Sequence, residues 1–565
     1  MKSARLAPAA AVAFCALATT AQANPFLHAD HQQIVDGKGK PVILRGMGLG
    51  GWMLQEGYML KAGGLPQYQI RNKIAELIGP AKTATFYKAW LDNDITKADI
   101  DAMAGWGFNS VRLPMHYNLF TLPVEDEPVK GQDTWLMTGF DRTDDLVKWA
   151  RANDMVVILD LHAAPGGQGN DLAISDRDTS KPSLWDSPAN QDKTVALWRK
   201  LAEHYRDEPA IGAYDILNEP NWGFQNAGDK NGCDETANAP LRNLYTRIIA
   251  AIRDVDSQHM IIIEGNCWGN NYKGLLPIQD GNLTLSFHKY WNNTSQDTIE
   301  QFLKLRSDYD VPLWNGESGE NSNDWFARAV ELEERNGIGW AWWPLKKIGF
   351  NNPEEIVNTP GMAKVQAWWQ DKGPKPAPAA AEAALMQLAT HGVRFENTVI
   401  HRDVVDALFR ASRDDSAVAY RPHVIGAKGG VLPAAEYDMG RNGTAYFDTT
   451  ADNLYVSTGG PRTAWNDGAA FRNDGVDIGW DGQRYFVSQI QAGEWLHYTL
   501  TAALAGHYRL TLTPSGAFSV RLNGKQVETG KGLDLLKGRN VLVIGAAQGP
   551  QAPPPLDLET LTFTR

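Results

Sequence analysis

The chain has 565 residues, 43% of them hydrophobic, and a formal net charge of −12. This length allows two to four domains of roughly 100–200 residues, and the hydrophobic content excludes an intrinsically disordered chain. The acidic balance argues against binding to nucleic acids or anionic membranes, and three cysteines are too few for a disulfide scaffold or a cysteine-based metal cluster.

The amino terminus has the pattern of a secretory signal peptide over residues 1–23. An apolar run from Leu6 to Ala18 follows two basic residues, and a small-x-small cleavage pattern ends at Ala23. The run is shorter than the ~20 residues of a membrane span, and no later segment is apolar enough to cross a bilayer. We therefore expect a chain that is exported, either secreted or periplasmic.

Residues 24–371 alternate between short apolar runs and amphipathic helical patterns. Runs that are apolar along their length indicate a parallel sheet buried on both faces, and eight such units predict a (β/α)₈ barrel. Helical patterns include residues 144–153, 192–205, 241–256, 295–309 and 325–336. The predicted strands are residues 42–48, 108–114, 155–162, 211–220, 260–265, 283–290, 311–318 and 337–345.

A connector and a β-rich region are predicted after the barrel. Residues 372–424 begin with a Pro/Ala-rich connector and include a helical pattern at 403–411. From residue 425 to the end, short alternating runs separated by Gly, Asn and Asp are typical of an all-β sandwich. We therefore expect an α/β protein in which a TIM barrel precedes a β-sandwich.

Polar and aromatic residues cluster at the carboxyl end of nearly every predicted barrel strand, where a (β/α)₈ barrel builds its active site. Two of them are glutamates, Glu219 at the end of the fourth strand and Glu317 at the end of the seventh. Glycosidic cleavage needs two such carboxyl groups, one to protonate the departing oxygen and one to attack or assist at the anomeric carbon.

The ordered set of strand-end motifs resembles glycoside hydrolase family 5, which contains retaining cellulases, mannanases and β-1,3-glucanases. The resemblance covers about residues 30–370. It rests on Arg112 in Val-Arg-Leu-Pro, His162 in Asp-Leu-His-Ala-Ala-Pro-Gly, Asn218-Glu219-Pro220, His288 and Tyr290 in His-Lys-Tyr, Glu317, and Trp343 in Gly-Trp-Ala-Trp-Trp.

This resemblance implies that Glu219 is the general acid/base and Glu317 the nucleophile, with carboxyl groups about 5 Å apart and net retention. It also implies substrate-binding roles for six further residues. A hydroxyl of Tyr290 and the charge of Arg112 favour the ionised form of Glu317, while Trp343 forms an apolar floor for the sugar. The six residues are Arg112, His162, Asn218, His288, Tyr290 and Trp343.

Several other residues are candidates for binding or pairing. Trp52, Trp222 and Trp268 lie in loops after strands, where they are candidate subsite aromatics. Cys233 and Cys267 follow consecutive predicted strands, so they either form a disulfide in an oxidising compartment or remain two separate thiols.

Residues 425–565 resemble a family 6 carbohydrate-binding module, through segments such as Phe471-Arg-Asn-Asp-Gly-Val-Asp-Ile and Gly493-Glu-Trp-Leu-His-Tyr. Phe471 and Trp480 are the candidate sugar-binding aromatics. The usual paired acidic positions of the first strand align with Pro433 and Ala435, which argues against structural calcium. A sandwich that only packs against the barrel is the alternative.

Loop sequences around the predicted site most resemble the β-1,3-glucanase and β-glucosidase members of the family. We expect a monomeric hydrolase acting on an oligo- or polysaccharide β-glucan, without a cofactor. No His-x-His or His-Glu-x-x-His spacing indicates a metal site. A β-mannanase, a glycolipid β-glucosidase and a non-catalytic polysaccharide-binding protein remain alternatives.

Overall fold

The computed structural model describes residues 25–226, 228–460, 464–528, 530–547 and 555–565. The predicted signal peptide lies outside these ranges. Within them, no helix combines the length and the hydropathy that crossing a bilayer requires.

Eight parallel strands close into a barrel in which each strand pairs with the next and the last pairs with the first. This confirms the predicted TIM barrel, and the sheet is buried along its length as a parallel sheet should be. The strands are β1 Arg45–Gly48, β2 Ser110–His116, β3 Val156–Ala163, β4 Ile211–Asp215, β5 Met260–Glu264, β6 Leu283–Lys289, β7 Leu313–Gly319 and β8 Gly339–Trp343.

Helices surround the barrel between most consecutive strands. In the connection from β5 to β6, the only helical segment is the single turn Asn266–Gly269, which leaves a loop-rich wall on that side. The main helices are α1 Gln67–Ile78, α2 Pro80–Asn93, α3 Lys97–Trp106, α4 Met137–Arg151, α5 Pro188–Tyr205, α6 Ala239–Arg253, α7 Glu300–Tyr309, α8 Asn323–Arg335, α9 Pro360–Trp369 and α10 Pro378–Gln387.

Helix periodicity explains how this outer layer packs. In α6, apolar residues recur every three or four positions, so one face is buried while the other is polar. The buried residues of that face are Leu241, Leu244, Tyr245, Ile248, Ile249 and Ile252.

The segment predicted as a Pro/Ala-rich connector is a packed part of the molecule. Helix α10 begins at Pro378 and buries Ala381, Ala384 and Leu385 in a hydrophobic cluster with residues of α1, α2 and α9. Small alanine side chains let the helix lie close to its neighbours. A composition that is typical of a spacer therefore forms a docked helix here.

The C-terminal region consists of mainly antiparallel sheets around a second hydrophobic core, with one parallel pair between Val424–Ile425 and Trp495–Ala502. In Trp495–Ala502 buried and less buried residues alternate, as expected when one face of a strand meets the core. Other strands are Gly429–Pro433, Ile478–Trp480, Tyr485–Ile490, Gly506–Thr513, Phe518–Leu522, Lys525–Val527, Leu533–Leu535, Gly538–Ala546, Leu556–Leu558 and Thr560–Thr564, with short bridging strands at Val424–Ile425 and Tyr446–Phe447.

Buried polar contacts join this region to the barrel. Asn323, at the start of α8, donates from Nδ2 to Asp474 Oδ1 at 2.9 Å and to Asp403 Oδ2 at 2.7 Å. Asn473 Nδ2 donates to Asn321 O at 2.8 Å. The loop after β7 is therefore attached directly to the β-rich region.

Candidate active site

The carboxyl ends of the barrel strands surround a cleft of about 630 Å³. Both glutamates predicted from the sequence line it, together with four of the six predicted binding residues. Those four are His162, His288, Tyr290 and Trp343.

Glu219 and Glu317 face one another in this cleft. A carboxylate oxygen of Glu219, a ring nitrogen of His288 and a carboxylate oxygen of Glu317 all lie within 4.8 Å of one another. Both glutamates are buried, at 6% and 5% exposure. This separation is shorter than the ~6.5–9.5 Å that leaves room for a water molecule, so it suits direct attack of one carboxylate on the anomeric carbon.

A bulge in β7 helps to aim Glu317. Asn315 is opposite Phe287 of β6, but Glu317 is opposite His288, so Gly316 is an extra residue in β7. Such a bulge redirects the side chain that follows it. A Cβ atom at Gly316 would lie 2.3 Å from Ser286 Oγ, and the bulge therefore requires glycine.

Backbone strain marks the other glutamate. Glu219 has a φ of 40°, in the left-handed region that non-glycine residues avoid at a cost of roughly 1–3 kcal/mol. Its backbone N–H donates to Glu264 Oε2 at 2.7 Å. A buried carboxylate thus holds the conformation that turns the Glu219 side chain into the cleft.

Arg112 is a fully buried guanidinium surrounded by acids. Its Nε and Nη2 donate to Asp215 Oδ2 at 2.9 and 2.8 Å, and Nη2 also donates to Glu264 Oε1 at 3.0 Å. Nη1 donates to Glu317 Oε1, while Tyr290 Oη donates to Glu317 Oε2 at 3.1 Å. Both oxygens of Glu317 therefore accept hydrogen bonds, which suits an ionised nucleophile.

His288 connects the two glutamates. Its Nδ1 lies 2.6 Å from Glu219 Oε1 and 3.7 Å from Glu317 Oε2, and its Nε2 lies 3.2 Å from Glu264 Oε1. Burial by itself lowers the pKa of His288, but the carboxylates of Glu264, Glu317 and Glu219 raise it well above its usual value. These carboxylates therefore favour the protonated form of the imidazole beside Glu219.

The pKa of Glu219 is raised to about 7. Burial is the main cause, since it disfavours the charged form. The His288 cation lowers the pKa, and the negative charges of Glu317 and Glu264 raise it. A carboxyl group that holds its proton near neutral pH is what a general acid requires.

Four further side chains form a polar and aromatic part of the cleft lining. His162 stacks on Trp343 with ring centroids 5.0 Å apart and planes 7° from parallel. Trp343 Nε1 donates to Tyr58 Oη at 3.0 Å, and Glu56 Oε1 lies 3.7 Å from His162 Nε2. Burial raises the pKa of Glu56 to about 7.

Two of the predicted binding residues, Arg112 and Asn218, are 0% exposed and bond to neighbouring side chains. Asn218 accepts from Arg112 Nη2 at 2.8 Å, and its Nδ2 lies 3.2 Å from His162 Nε2. Both residues therefore lie beneath the cleft surface and position the side chains that line it.

The three candidate subsite tryptophans differ in position. The prediction for Trp52 is wrong, because its side chain is 1% exposed in the barrel core and its Nε1 donates to Leu91 O. Trp222 is not among the residues that line the cleft, and the Arg177 guanidinium covers one face of its ring at 4.5 Å. Trp268 does line the cleft.

Cys233 and Cys267 form a disulfide. Cys267 directly precedes Trp268, whose N–H donates to Pro220 O at 3.1 Å. The bridge therefore joins the loop after β4 to the loop after β5, beside the backbone of Glu219.

The candidate aromatics of the C-terminal region lie in a row of rings. Phe471 is half-buried, with its ring 5.5 Å from Tyr420 and 4.9 Å from Tyr485. Trp480 is 53% exposed and lies 4.6 Å from Tyr485.

Sequence reasoning missed several residues of the site. Asp160 bonds to His162, and Asp215 bonds to Arg112. Asp160 lies two residues before His162 on the same strand, so strand alternation already places both side chains on the same face. Glu56 and Tyr58 come from the long loop after β1 and have no such pattern. Lys289, Trp291, Tyr455 and Val456 also line the cleft, the last two from more than 100 residues beyond β8.

Glu219, His288 and Glu317 also have the spacing of three metal ligands. However, His288 Nδ1 and Glu219 Oε1 are paired with each other at 2.6 Å. The arrangement therefore also suits proton transfer between these two groups.

Comparison with known proteins agrees with this geometry. Residues 73–348 match the family model "Cellulase (glycosyl hydrolase family 5)". A β-xylosidase of Phanerodontia chrysosporium is 29% identical over 374 residues, covering 60% of this chain and 74% of the relative. Endoglucanase C of Acetivibrio thermocellus is 27% identical over 375 residues, covering 55% and 93%.

A further relative is a probable glucan 1,3-β-glucosidase A of Aspergillus niger, 27% identical over 260 residues, which covers 44% of this chain and 56% of the relative. The matched segment contains seven of the eight barrel strands and both cleft glutamates. These similarities support glycoside hydrolase family 5 for the barrel, and the chain is a glycoside hydrolase.

Proposed function

We propose that the protein hydrolyses β-glucan or β-glucosides with retention of anomeric configuration, with Glu219 as acid/base and Glu317 as nucleophile. The observation that carries this proposal is the pair of buried carboxyl groups within 4.8 Å of each other. Their environments differ, since only Glu317 accepts a hydrogen bond from the Arg112 guanidinium.

In the first step, Glu317 attacks C1 of the sugar and the bond from C1 to the leaving oxygen breaks. Glu219 donates its proton to that oxygen, so the leaving group departs as a neutral alcohol. Trp343 supports the apolar face of the sugar, and His162 and Glu56 are placed to bind hydroxyl groups beside it.

In the second step, Glu219 removes a proton from water while the water oxygen attacks C1 and releases Glu317 as a carboxylate. The electrostatics favour this change of role. The charge of Glu317 contributes to the raised pKa of Glu219, and that charge disappears when Glu317 becomes an ester. The pKa of Glu219 therefore falls in the intermediate, where a base is needed.

Glucan as the substrate is supported by the names of the relatives, an endoglucanase and a glucan 1,3-β-glucosidase. A xylosidase is also among them, and β-mannoside or glycolipid substrates share the same chemistry. Export is supported by the sequence pattern of residues 1–23 and by the disulfide, which is typical of oxidising compartments.

The roles of the two glutamates can be tested by azide rescue. Glu219→Ala and Glu317→Ala are each expected to lower kcat on an aryl β-glucoside by about 10³-fold or more. Azide should rescue Glu219→Ala as the β-glucosyl azide, because the ester on Glu317 still forms. It should rescue Glu317→Ala as the α-glucosyl azide, because azide then replaces the nucleophile.

Glu333→Gln is a matched control, since Glu333 is a fully buried glutamate outside the cleft. The turnover of this variant should not depend on azide. The assignment is wrong if either variant keeps near-normal turnover or if the two azide products are reversed. A chelator should leave the wild-type rate unchanged, and loss of activity restored by a divalent metal would instead favour a metal-dependent hydrolase.

A further inference from the structure

A loop of the C-terminal β-rich region reaches the active-site cleft. Tyr455 and Val456 line the same cleft as Glu219 and Glu317, although 112 residues separate Tyr455 from Trp343 along the chain. Tyr455–Thr458 form a single helical turn, so the two side chains are held on a short ordered element.

Hydrogen bonds attach this loop to the two barrel loops that follow β6 and β7. The first of these barrel loops begins with Tyr290 and the second with Glu320, three residues after Glu317, so the attachment fixes the C-terminal loop relative to both side chains. The bonds are Val456 N to Trp291 O at 2.9 Å, Asn293 N to Ser457 Oγ at 2.6 Å, Ser322 Oγ to Asp452 Oδ1 at 2.8 Å and Asn321 Nδ2 to Asn453 O at 2.8 Å.

The two side chains are exposed although they lie inside a cleft. Tyr455 is 40% exposed and Val456 is 56% exposed, and the ring of Tyr455 lies 6.4 Å from that of Trp291. An apolar patch that remains open inside a cleft is typical of a surface that a ligand covers.

The order of the strands around the barrel indicates which part of a substrate would cover this apolar patch. The strands of Glu219 and Glu317, β4 and β7, divide the ring of strands into two arcs. Trp343 and His162 belong to the arc that contains β8 and β3. Trp291 follows β6 and lies on the other arc. A sugar placed on Trp343 therefore directs its leaving group toward Trp291 and the loop of Tyr455.

We propose that Tyr455 and Val456 bind the leaving group of the substrate, so that the C-terminal region completes the active site. The group recognised is one with an apolar face, which is either the ring of a second sugar or an aryl group. This inference rests on the proposed roles of Glu219 and Glu317, but it is independent of which sugar is attacked.

Glycosyl fluorides provide the test, because fluoride is too small to reach these side chains. For the full-length Tyr455→Ala/Val456→Ala variant, kcat/KM on an aryl β-glycoside and on a β-linked disaccharide is expected to fall about tenfold. On the glycosyl fluoride of the same sugar it should not change. Tyr455→Phe, which keeps the ring, should lose less activity on both substrates than the alanine variant.

Tyr309→Ala and Val431→Ala are matched controls, since these residues are 39% and 60% exposed and lie outside the cleft. Loss on the disaccharide alone would identify the second sugar as the occupant, and loss on both substrates would indicate any apolar leaving group. An equal fall on the fluoride, or no fall on any substrate, would overturn the proposal. The ratio of kcat/KM between variant and wild type should be measured with glucosides, galactosides and xylosides. This series tests the leaving-group proposal separately from the glucan assignment, which fails if only another sugar is hydrolysed.

Discussion

At the scale of single residues, the charge of His288 limits how far the pKa of Glu219 rises. Burial and the carboxylates of Glu317 and Glu264 raise this pKa, and the His288 cation opposes them. Because His288 Nδ1 is 2.6 Å from Glu219 Oε1, this opposition acts at hydrogen-bond distance. The resulting pKa of about 7 keeps the acid available near neutral pH.

We predict that His288→Gln moves the alkaline limb of the pH profile of kcat/KM to higher pH. The acid must be protonated for the first step, so activity of the wild type falls as pH rises through about 7. Removing a cation beside a carboxyl group raises its pKa, and the limb should move upward even though the maximal rate falls. The measurement is kcat/KM on an aryl β-glucoside from pH 4 to pH 10.

Tyr290→Phe is the control for this experiment. It removes the hydrogen bond to Glu317 Oε2 without changing the formal charge near Glu219. We expect it to lower the rate and leave the alkaline limb in place. A limb that stays fixed in His288→Gln, or moves to lower pH, would contradict the electrostatic account of Glu219.

At the scale of elements, the sequence predicts strands well, because the pattern of a buried strand lies within the strand itself. The sequence predicts all eight barrel strands because buried parallel strands are apolar along their length, and barrel geometry predicts that the residues at their carboxyl ends meet at one site. Loop residues were less predictable. Trp52 lies in the loop after β1 and Trp343 ends β8, yet Trp52 is a core residue while Trp343 lines the cleft, and only tertiary packing distinguishes them.

The disulfide gives a prediction at this scale. It closes a segment with a sequence separation of 34 residues, for which loop-closure entropy corresponds to about 4 kcal/mol. Cys233→Ser/Cys267→Ser should therefore lower the thermal midpoint. Because the bridge holds the loop of Trp268, the variant should also raise KM for aryl glucosides more than it lowers kcat.

A reducing agent should reproduce both effects in the wild type and have no effect on the double serine variant. An unchanged thermal midpoint in both cases would indicate that the rest of the loop, including the bond from Trp268 N to Pro220 O, is sufficient to hold this segment.

At the scale of the whole molecule, the sequence indicated two regions joined by a connector, and the structure joins them through buried contacts. Pairs such as Asn321 with Asn453 are 132 residues apart and leave no local pattern. A composition shift near residue 372 is therefore compatible both with a tethered module and with a region that forms part of the cleft. The row of aromatic rings, in which Trp480 is 53% exposed, offers a surface on which a second, sugar-binding role can be tested.

Substitution of Trp480 tests the sugar-binding role of the C-terminal region. Its exposed indole, 4.6 Å from Tyr485, is suited to stacking on the sugar rings of a glucan chain. If the region also anchors the enzyme to polysaccharide, Trp480→Ala should weaken adsorption to insoluble β-glucan by about three- to tenfold. Its kcat/KM on a soluble aryl glucoside should remain that of the wild type.

Phe447→Ala is the control, since Phe447 is a 38% exposed aromatic of the same region outside the row of rings. Adsorption isotherms of the full-length proteins distinguish the outcomes. If Trp480→Ala and Phe447→Ala adsorb like the wild type, the aromatic row does not bind polysaccharide. The C-terminal region would then act only through its packing on the barrel and its contribution to the cleft.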